Sequence, residues 1–492
     1  MLFNSYTFIV FFIIVLILHN LPFSWKTKKI NLLFASYIFY AAWNPPFILL
    51  LWLSTIVDFF VGKALYTQEN KHKKKLLLVI SLIGNLGMLC FFKYGGFVLE
   101  NFTYLVNAFG FNYHPAKPNI ILPAGISFYT FTTLCYTIDM YKKESKPVES
   151  FLNFSLFVTF FPHLVAGPIV RPPQLVPQFE SPRNASAEQL FQGLFLLTLG
   201  LFMKVFLADG MLSGPANTVF GATDPLQSLD AWMGVLAFSG QIFFDFAGYS
   251  LCAIGAALCL GFVLPNNFLY PYAAIGFTDF WRRWHITLSS WLRDYLYIPL
   301  GGNRAGKFRT YINLMITMLL GGLWHGANWT FVVWGALHGF YLWVEKAYRD
   351  MKKVKSSTVF PSEKGKPEGY FPPEKNHQKN LTNFTLALGT FLLVNVTWVF
   401  FRSSTFTSAW RILHSMFINN AKNAPLLKTM DIYKVAIIIP LLIITHWMMR
   451  NTKALSVAGK TPWWLLGVSW SAMIVLIMLS QNASSAFIYF QF

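Results

Sequence analysis

Apolar residues in this chain gather into runs, and lysine, arginine, proline and glycine set the runs apart. The runs fall at 5–22, 30–43, 47–66, 76–98, 119–140, 151–167, 188–208, 231–262, 311–323, 329–346, 381–402, 433–449 and 462–480. A helix that crosses a bilayer needs about 20 apolar residues. Several runs are short, whereas 231–262 is long enough for a tilted helix or a helix with a break. The pattern predicts an all-α, polytopic membrane protein of about 11–13 transmembrane or re-entrant helices. It is expected to behave as a single domain over residues 1–492.

Three stretches break the pattern. Residues 161–177 hold Pro162, Pro168, Pro172, Pro173 and Pro177 with Gly167, which cannot sustain a helix. Broken backbone is tolerated at membrane depth only under cover of protein or beside a water-filled cavity. Residues 151–178 are therefore expected to be re-entrant. Residues 265–309 are rich in Trp, Arg and Gly and predict short helices on, or dipping into, the cytosolic face. Residues 347–380 carry Lys, Glu, Pro and Ser with few aliphatics and predict a flexible cytosolic loop. No internal repeat is visible, which weakens a transporter built from inverted halves.

Composition agrees with the membrane reading. Hydrophobic residues make up 55% and charged residues 12%, about half the charge of a soluble surface. Mean hydropathy is +0.47. The net charge of +19 would suggest nucleic acid in a soluble protein. Here it belongs to cytosolic loops, and no nucleic-acid partner is expected. Placing the clusters around Lys26–Lys29, Lys71–Lys75, Lys142–Lys146, Arg282–Arg309, Lys346–Lys379 and Arg450–Lys460 in the cytosol puts both termini outside. Parity then requires that 151–167 does not fully cross. Residues 5–18 lack a basic n-region and a small-residue cleavage site, so they are expected to be the first membrane helix, not a signal peptide. Cys90, Cys135, Cys252 and Cys259 sit in apolar segments, spaced neither for a metal nor for a disulfide; they are expected to be packing residues.

His325 is the foremost candidate for chemistry. It lies in Leu320-Gly321-Gly322-Leu323-Trp324-His325-Gly326, where a titratable ring is costly without a partner or a water path. Gly321, Gly322 and Gly326 would let backbone approach a substrate, and Trp324 and Trp329 offer flat apolar walls. A neutral imidazole there suits a general base for a hydroxyl, although a structural histidine satisfied by a neighbouring helix stays open. His285 follows Phe280-Trp281-Arg282-Arg283-Trp284. That stretch reads as an interfacial helix anchored by Trp and Arg. It also reads as a basic mouth of Arg282, Arg283 and Arg293 for an anionic donor such as a coenzyme phosphate. His338 reads as structural. Asp58 and Asp245 are intramembrane acids that need partners. Asp245 and Tyr249 form an i,i+4 pair that orients a catalytic group or locks two helices. Asp139 reads as interfacial. There is no Walker loop, GxGxxG, HExxH or CxxC, and no elbow-type serine or cysteine. No metal or bound cofactor is expected.

Several motifs together resemble the membrane-bound O-acyltransferase family. They are Gly167-Pro168-Ile169-Val170-Arg171, Phe244-Asp245-Phe246-Ala247-Gly248-Tyr249-Ser250, Phe280 to Ser289, Tyr297 to Asn303, and Gly322-Leu323-Trp324-His325-Gly326. Within the family they look most like the bacterial branch that holds the alginate O-acetyltransferase membrane subunit, as does the ending Phe487 to Phe492. The alginate branch usually follows Gly248-Tyr249-Ser250 with an acid and a Met; here Leu251 and Cys252 follow, so the resemblance names no particular polymer.

The resemblance implies a helical body with a funnel and tunnel, and it maps the near-invariant histidine onto His325 and the second polar position onto His285. It implies an acyl thioester donor, acetyl-CoA, and an esterase-like acyltransferase partner outside a bacterial inner membrane. A polysaccharide is then the final acceptor. Donor binding would fall to Arg282, Arg283, Arg293, Trp324, Asn303, Asp245 and Tyr249. A tunnel that admits only the thioester arm avoids desolvating the donor's phosphates, and it places His325 on a passage open to water on both faces. A D-alanyl transferase of the teichoic acid type and a transporter or flippase of a glycan-linked lipid are the alternatives.

Overall fold

The computed structural model describes residues 1–116, 118–304, 306–352, 380–419, 424–452, 454–480 and 487–488. Every regular element among them is helical. Short polar side chains start many of the helices. Ser24 accepts from the Thr27 amide, Asn70 from His72 and Lys73, Asn328 from Thr330, and Asn380 from Asn383. Each cap satisfies amides that the first helical turn leaves without a carbonyl.

Among the described residues, six helical stretches are long and apolar enough to cross a membrane: Pro45–Thr67, Lys71–Ala108, Ala187–Gly221, Ser228–Cys259, Leu381–Arg402 and Thr429–Met449. Tyr6–Asn20 and Trp463–Leu479 are shorter apolar helices. The protein is a multi-pass, all-α membrane protein. Ser228–Cys259 runs as one continuous helix of 32 residues. The proline-rich stretch is broken as expected, into Phe151–Thr159, Phe161–Leu164 and Pro172–Glu180.

The chain groups into two compact units, one of residues 1–193 with 256–264 and one of 194–255 with 265–492. In the first, Ile48–Thr67, Lys71–Leu89 and Ile126–Lys142 pack around buried Asp58. Its carboxylate accepts from the Ser81 hydroxyl and the Asn85 amide, and Asn85 in turn accepts from Ser54 and Thr133. Asp139, expected at the interface, is buried near the end of Ile126–Lys142. Its carbonyl caps the turn by accepting from the Glu144 amide.

The second unit contains all nine candidate site residues. Its broken segment runs through Pro271–Ala273, Phe277–Trp281 and Ile286–Leu292. This segment departs from the interfacial helix expected from its Trp and Arg content. Every residue from Phe277 to Arg293 is buried, because its charges find partners inside the protein. Trp329–Met351 also extends further than its apolar run. Most of the expected 347–380 loop, residues 353–379, lies outside the described residues. None of the four cysteines is in a disulfide; Cys90 is exposed, whereas Cys135, Cys252 and Cys259 are buried.

Candidate active site

His325 is the last residue of helix Lys307–His325, which turns back into Trp329–Met351. The two helices approach closely because glycine faces backbone. A Cβ at Gly322 would overlap the Phe331 carbonyl, and one at Gly335 the Met318 carbonyl. Gly322 thus serves the close packing of the two helices. Leu292 lies beside Gly321, and the Phe331 ring fills the space at Gly326.

The His325 ring is 2% exposed. Trp324, Trp334 and Phe401 meet it edge-on, with centroids 5.0, 4.9 and 5.2 Å away. In this conformation the ring is enclosed by aromatic side chains and does not stand on an open passage. Trp329, expected as a wall, is half exposed, and Trp334 takes its place.

His285 is fully buried. Its ring meets Phe246 at 4.7 Å and Trp324 at 5.9 Å. Trp324 therefore touches both histidines, which are distant in sequence. Burial pushes the His285 imidazole down to about 3, so it is neutral at physiological pH.

The backbone at His285 is left-handed, with φ of 42°. Such a conformation is costly for a residue with a Cβ and persists only where the surroundings impose it. Asn267 imposes much of it. Its carbonyl accepts from the Ile286 amide at 3.0 Å. Its side-chain Oδ1 lies 2.9 Å from Thr287 Oγ1, 3.3 Å from the Thr287 amide and 3.1 Å from His285 Nδ1.

Charged groups fix the rest of the turn. Glu345 Oε2 accepts from the Phe277 and Thr278 amides at 2.8 and 2.9 Å, capping the helix that leads to His285. Asp279 accepts from Arg283 Nε at 2.9 Å, from the Ile275 amide at 3.0 Å, and from the Arg450 guanidinium. Burial alone would raise the Asp279 carboxyl. The Arg283 and Arg450 guanidiniums outweigh that and hold it below the usual carboxylate range.

These contacts revise the expected basic mouth. Arg282, Arg283 and Arg293 are 5%, 2% and 9% exposed. Arg283 also donates to the Leu269 and Arg450 carbonyls, and Arg293 is paired with Asp294. Arg283 thus braces the turn that carries His285.

The remaining candidates are dispersed. Asp245 is held by Lys204, which also binds Asp209 at 2.9 Å, and by the Ile488 amide at 3.0 Å. Those contacts tie two helices and residue 488 together, which fits a locking role. The Tyr249 ring packs against Phe487 in a tilted arrangement, with centroids 4.8 Å apart. Asn303 is exposed on a turn, where it accepts from the Tyr297 hydroxyl. His338, read as structural, is buried with its Nε2 3.0 Å from Thr397 Oγ1.

Sequence reasoning missed Asn267, Asp279, Glu345 and Arg450. The Asp279–Arg283 pair carries a legible signal in its i,i+4 spacing. Asn267, Glu345 and Arg450 meet the turn only through tertiary packing, which leaves no mark in local sequence.

The profile of the membrane-bound O-acyltransferase family matches residues 141–356. A probable alginate O-acetylase of Pseudomonas aeruginosa is 39% identical over 80% of this chain and 70% of its own length. A second, from Pseudomonas putida, is 36% identical over 95% of both chains. A peptidoglycan O-acetyltransferase of Helicobacter pylori is 34% identical over 94% of this chain and 91% of its own. The chain therefore belongs to the membrane-bound O-acyltransferase family and is an acyltransferase.

Proposed function

We propose that this protein moves an acetyl group from acetyl-CoA on the cytosolic side of a bacterial inner membrane to an extracytoplasmic glycan. An esterase-like acyltransferase outside the membrane hands the group on. The basic loops face the cytosol and both termini face outward, by the positive-inside rule. The observation that supports this reading best is the meeting of His285 and His325 on one indole, Trp324, in the buried core of the second unit.

In the reaction, the oxygen of an acceptor hydroxyl attacks the thioester carbonyl and the carbon–sulfur bond breaks. His325 takes the hydroxyl proton and returns it to the departing thiolate. The products are an ester and free coenzyme A. Arg282 and Arg293, both buried in this conformation, hold the donor's phosphates once the site opens, and His285 orients the thioester arm against Trp324. Since Trp324, Trp334 and Phe401 enclose His325, the reactants reach it only when one of those rings swings aside.

Acetyl is favoured over D-alanyl by the extent of the likeness. The teichoic acid D-alanyltransferase of Bacillus subtilis is 30% identical over 46% of this chain, far less than the O-acetyl-transferring relatives cover. The glycan is left as a class, since the relatives are named for both alginate and peptidoglycan.

The test is acetyl transfer by the full chain in lipid nanodiscs, with acetate esters on cell-surface glycan measured by mass spectrometry. His325→Ala is expected to insert normally and to transfer about 10²–10⁴-fold more slowly. His285→Ala should lose less. Near-normal O-acetyl content in the His325→Ala strain would overturn the assignment.

A further inference from the structure

The contacts of Asn267 determine where the proton sits on His285. The Thr287 amide is a fixed donor, 3.3 Å from one atom of the Asn267 side-chain amide. Rotating that amide by half a turn would set an NH2 group against the Thr287 N–H, so the atom facing the turn is the oxygen. The other side agrees, because Asn267 Nδ2 donates to Ser250 Oγ at 3.3 Å. Thr287 Oγ1, at 2.9 Å, donates to the same Oδ1. A carboxamide oxygen only accepts. His285 Nδ1 lies 3.1 Å from it, so Nδ1 carries the hydrogen. In a neutral imidazole the lone pair then resides on Nε2.

We infer that Asn267 is a positioning residue that fixes His285 as its Nδ1–H tautomer and makes Nε2 the basic atom of the ring. The inference rests on the acyl-transfer reading for its consequence, though not for its geometry. Phe246, Phe268 and Trp324 pack on the ring and carry no charge. The neutral state of the ring agrees with its burial.

Two measurements test this on the full chain in nanodiscs. Solid-state NMR of 15N-histidine-labelled protein reads the tautomer directly, with the His285 signals assigned by their loss in His285→Gln. The expected spectrum has Nδ1 protonated and Nε2 bare, and a protonated Nε2 with a bare Nδ1 would overturn the inference. The second measurement is the pH titration of the His285 15N signals, with the kinetics of transfer from acetyl-CoA beside it. Asn267→Asp keeps an acceptor in place and sets a carboxylate against Nδ1–H, which favours the imidazolium. Its His285 imidazolium should form at a pH about one unit or more above that of the wild type, read from the same 15N signals. Asn267→Leu removes the acceptor and should lower kcat roughly 10²-fold while leaving the KM for acetyl-CoA within about twofold. An unmoved His285 titration in Asn267→Asp would also overturn the inference. An Nδ1–H signal in a wild type that transfers nothing would leave the tautomer standing and sink the acyl-transfer reading alone.

Discussion

Asp58 and Asp279 are both buried aspartates, one in each unit, and they are satisfied by opposite means. Asp58 lies within a regular helix and accepts only from neutral groups, the Ser81 hydroxyl and the Asn85 amide. Asp279 lies in broken backbone and faces two guanidiniums. The difference follows from what each must hold. Helices that satisfy their own backbone need only side-chain contacts to register against each other, and weak neutral bonds suffice. A left-handed turn between two short helices has strained backbone and orphaned amides to fix. Charge-assisted bonds, about twice as strong as neutral ones, serve that purpose. The turn that receives them is the one that presents His285.

The sharpest way to break this comparison is Asp279→Ala. It strands the Arg283 and Arg450 guanidiniums in the interior, and removing one partner of a buried ion pair costs about 3–5 kcal/mol. Thermal unfolding in detergent should show a large fall in Tm, and acetyl transfer should fall with it. The pH dependence has a fixed sign. The folded-state value of Asp279 lies below its usual one, so its contribution is complete above the usual carboxylate range and is lost as pH falls through the folded value. The stability gap between wild type and Asp279→Ala should therefore stay open down to about pH 4 and narrow only below it. A gap that closed near neutrality would show that the ion pairs do not carry the load.

Glu345→Ala probes the same turn more gently. It removes the acceptor of the Phe277 and Thr278 amides and leaves two buried donors without that partner, at a cost of about 1–3 kcal/mol. Transfer should drop further than stability alone explains, because the helix leading to His285 loses its start. Equal transfer per folded molecule in wild type and variant would mean that the cap does not position the histidine.

What the sequence discloses divides along the same line. Helices such as Leu381–Arg402 and Thr429–Met449 follow from runs of apolar residues, since a span must satisfy its backbone internally and face lipid outward. The break after Thr159 follows from prolines. His325 and Trp324 are legible because they are neighbours in a stretch otherwise devoid of titratable groups. Trp334 and Phe401 are not, since they reach the His325 ring only through the helix hairpin and a separate helix. Arg282 and Arg283 look like surface anchors when only local composition is read. The burial of Arg283 depends on Asp279 and Arg450, and Arg450 lies 167 residues from Arg283. The packing role of Gly322 likewise emerges only once the facing helix is in place.

The smallest expected effect is the most discriminating. Asp58→Asn preserves the size of the side chain and keeps one carbonyl oxygen. Its amide must turn so that the Asn85 group still meets an oxygen, which costs at most one of the neutral bonds. Hydrogen bonds between membrane helices are worth about 0.6 kcal/mol on average and reach about 1.7. Asp58→Asn should therefore shift Tm slightly, and transfer from acetyl-CoA should stay within about twofold of wild type. A loss of transfer as deep as that of His325→Ala, with folding intact, would mean that the charge at Asp58 takes part in the reaction. Buried acids in the two units would then share one role, and the contrast between helix registry and turn bracing would fail.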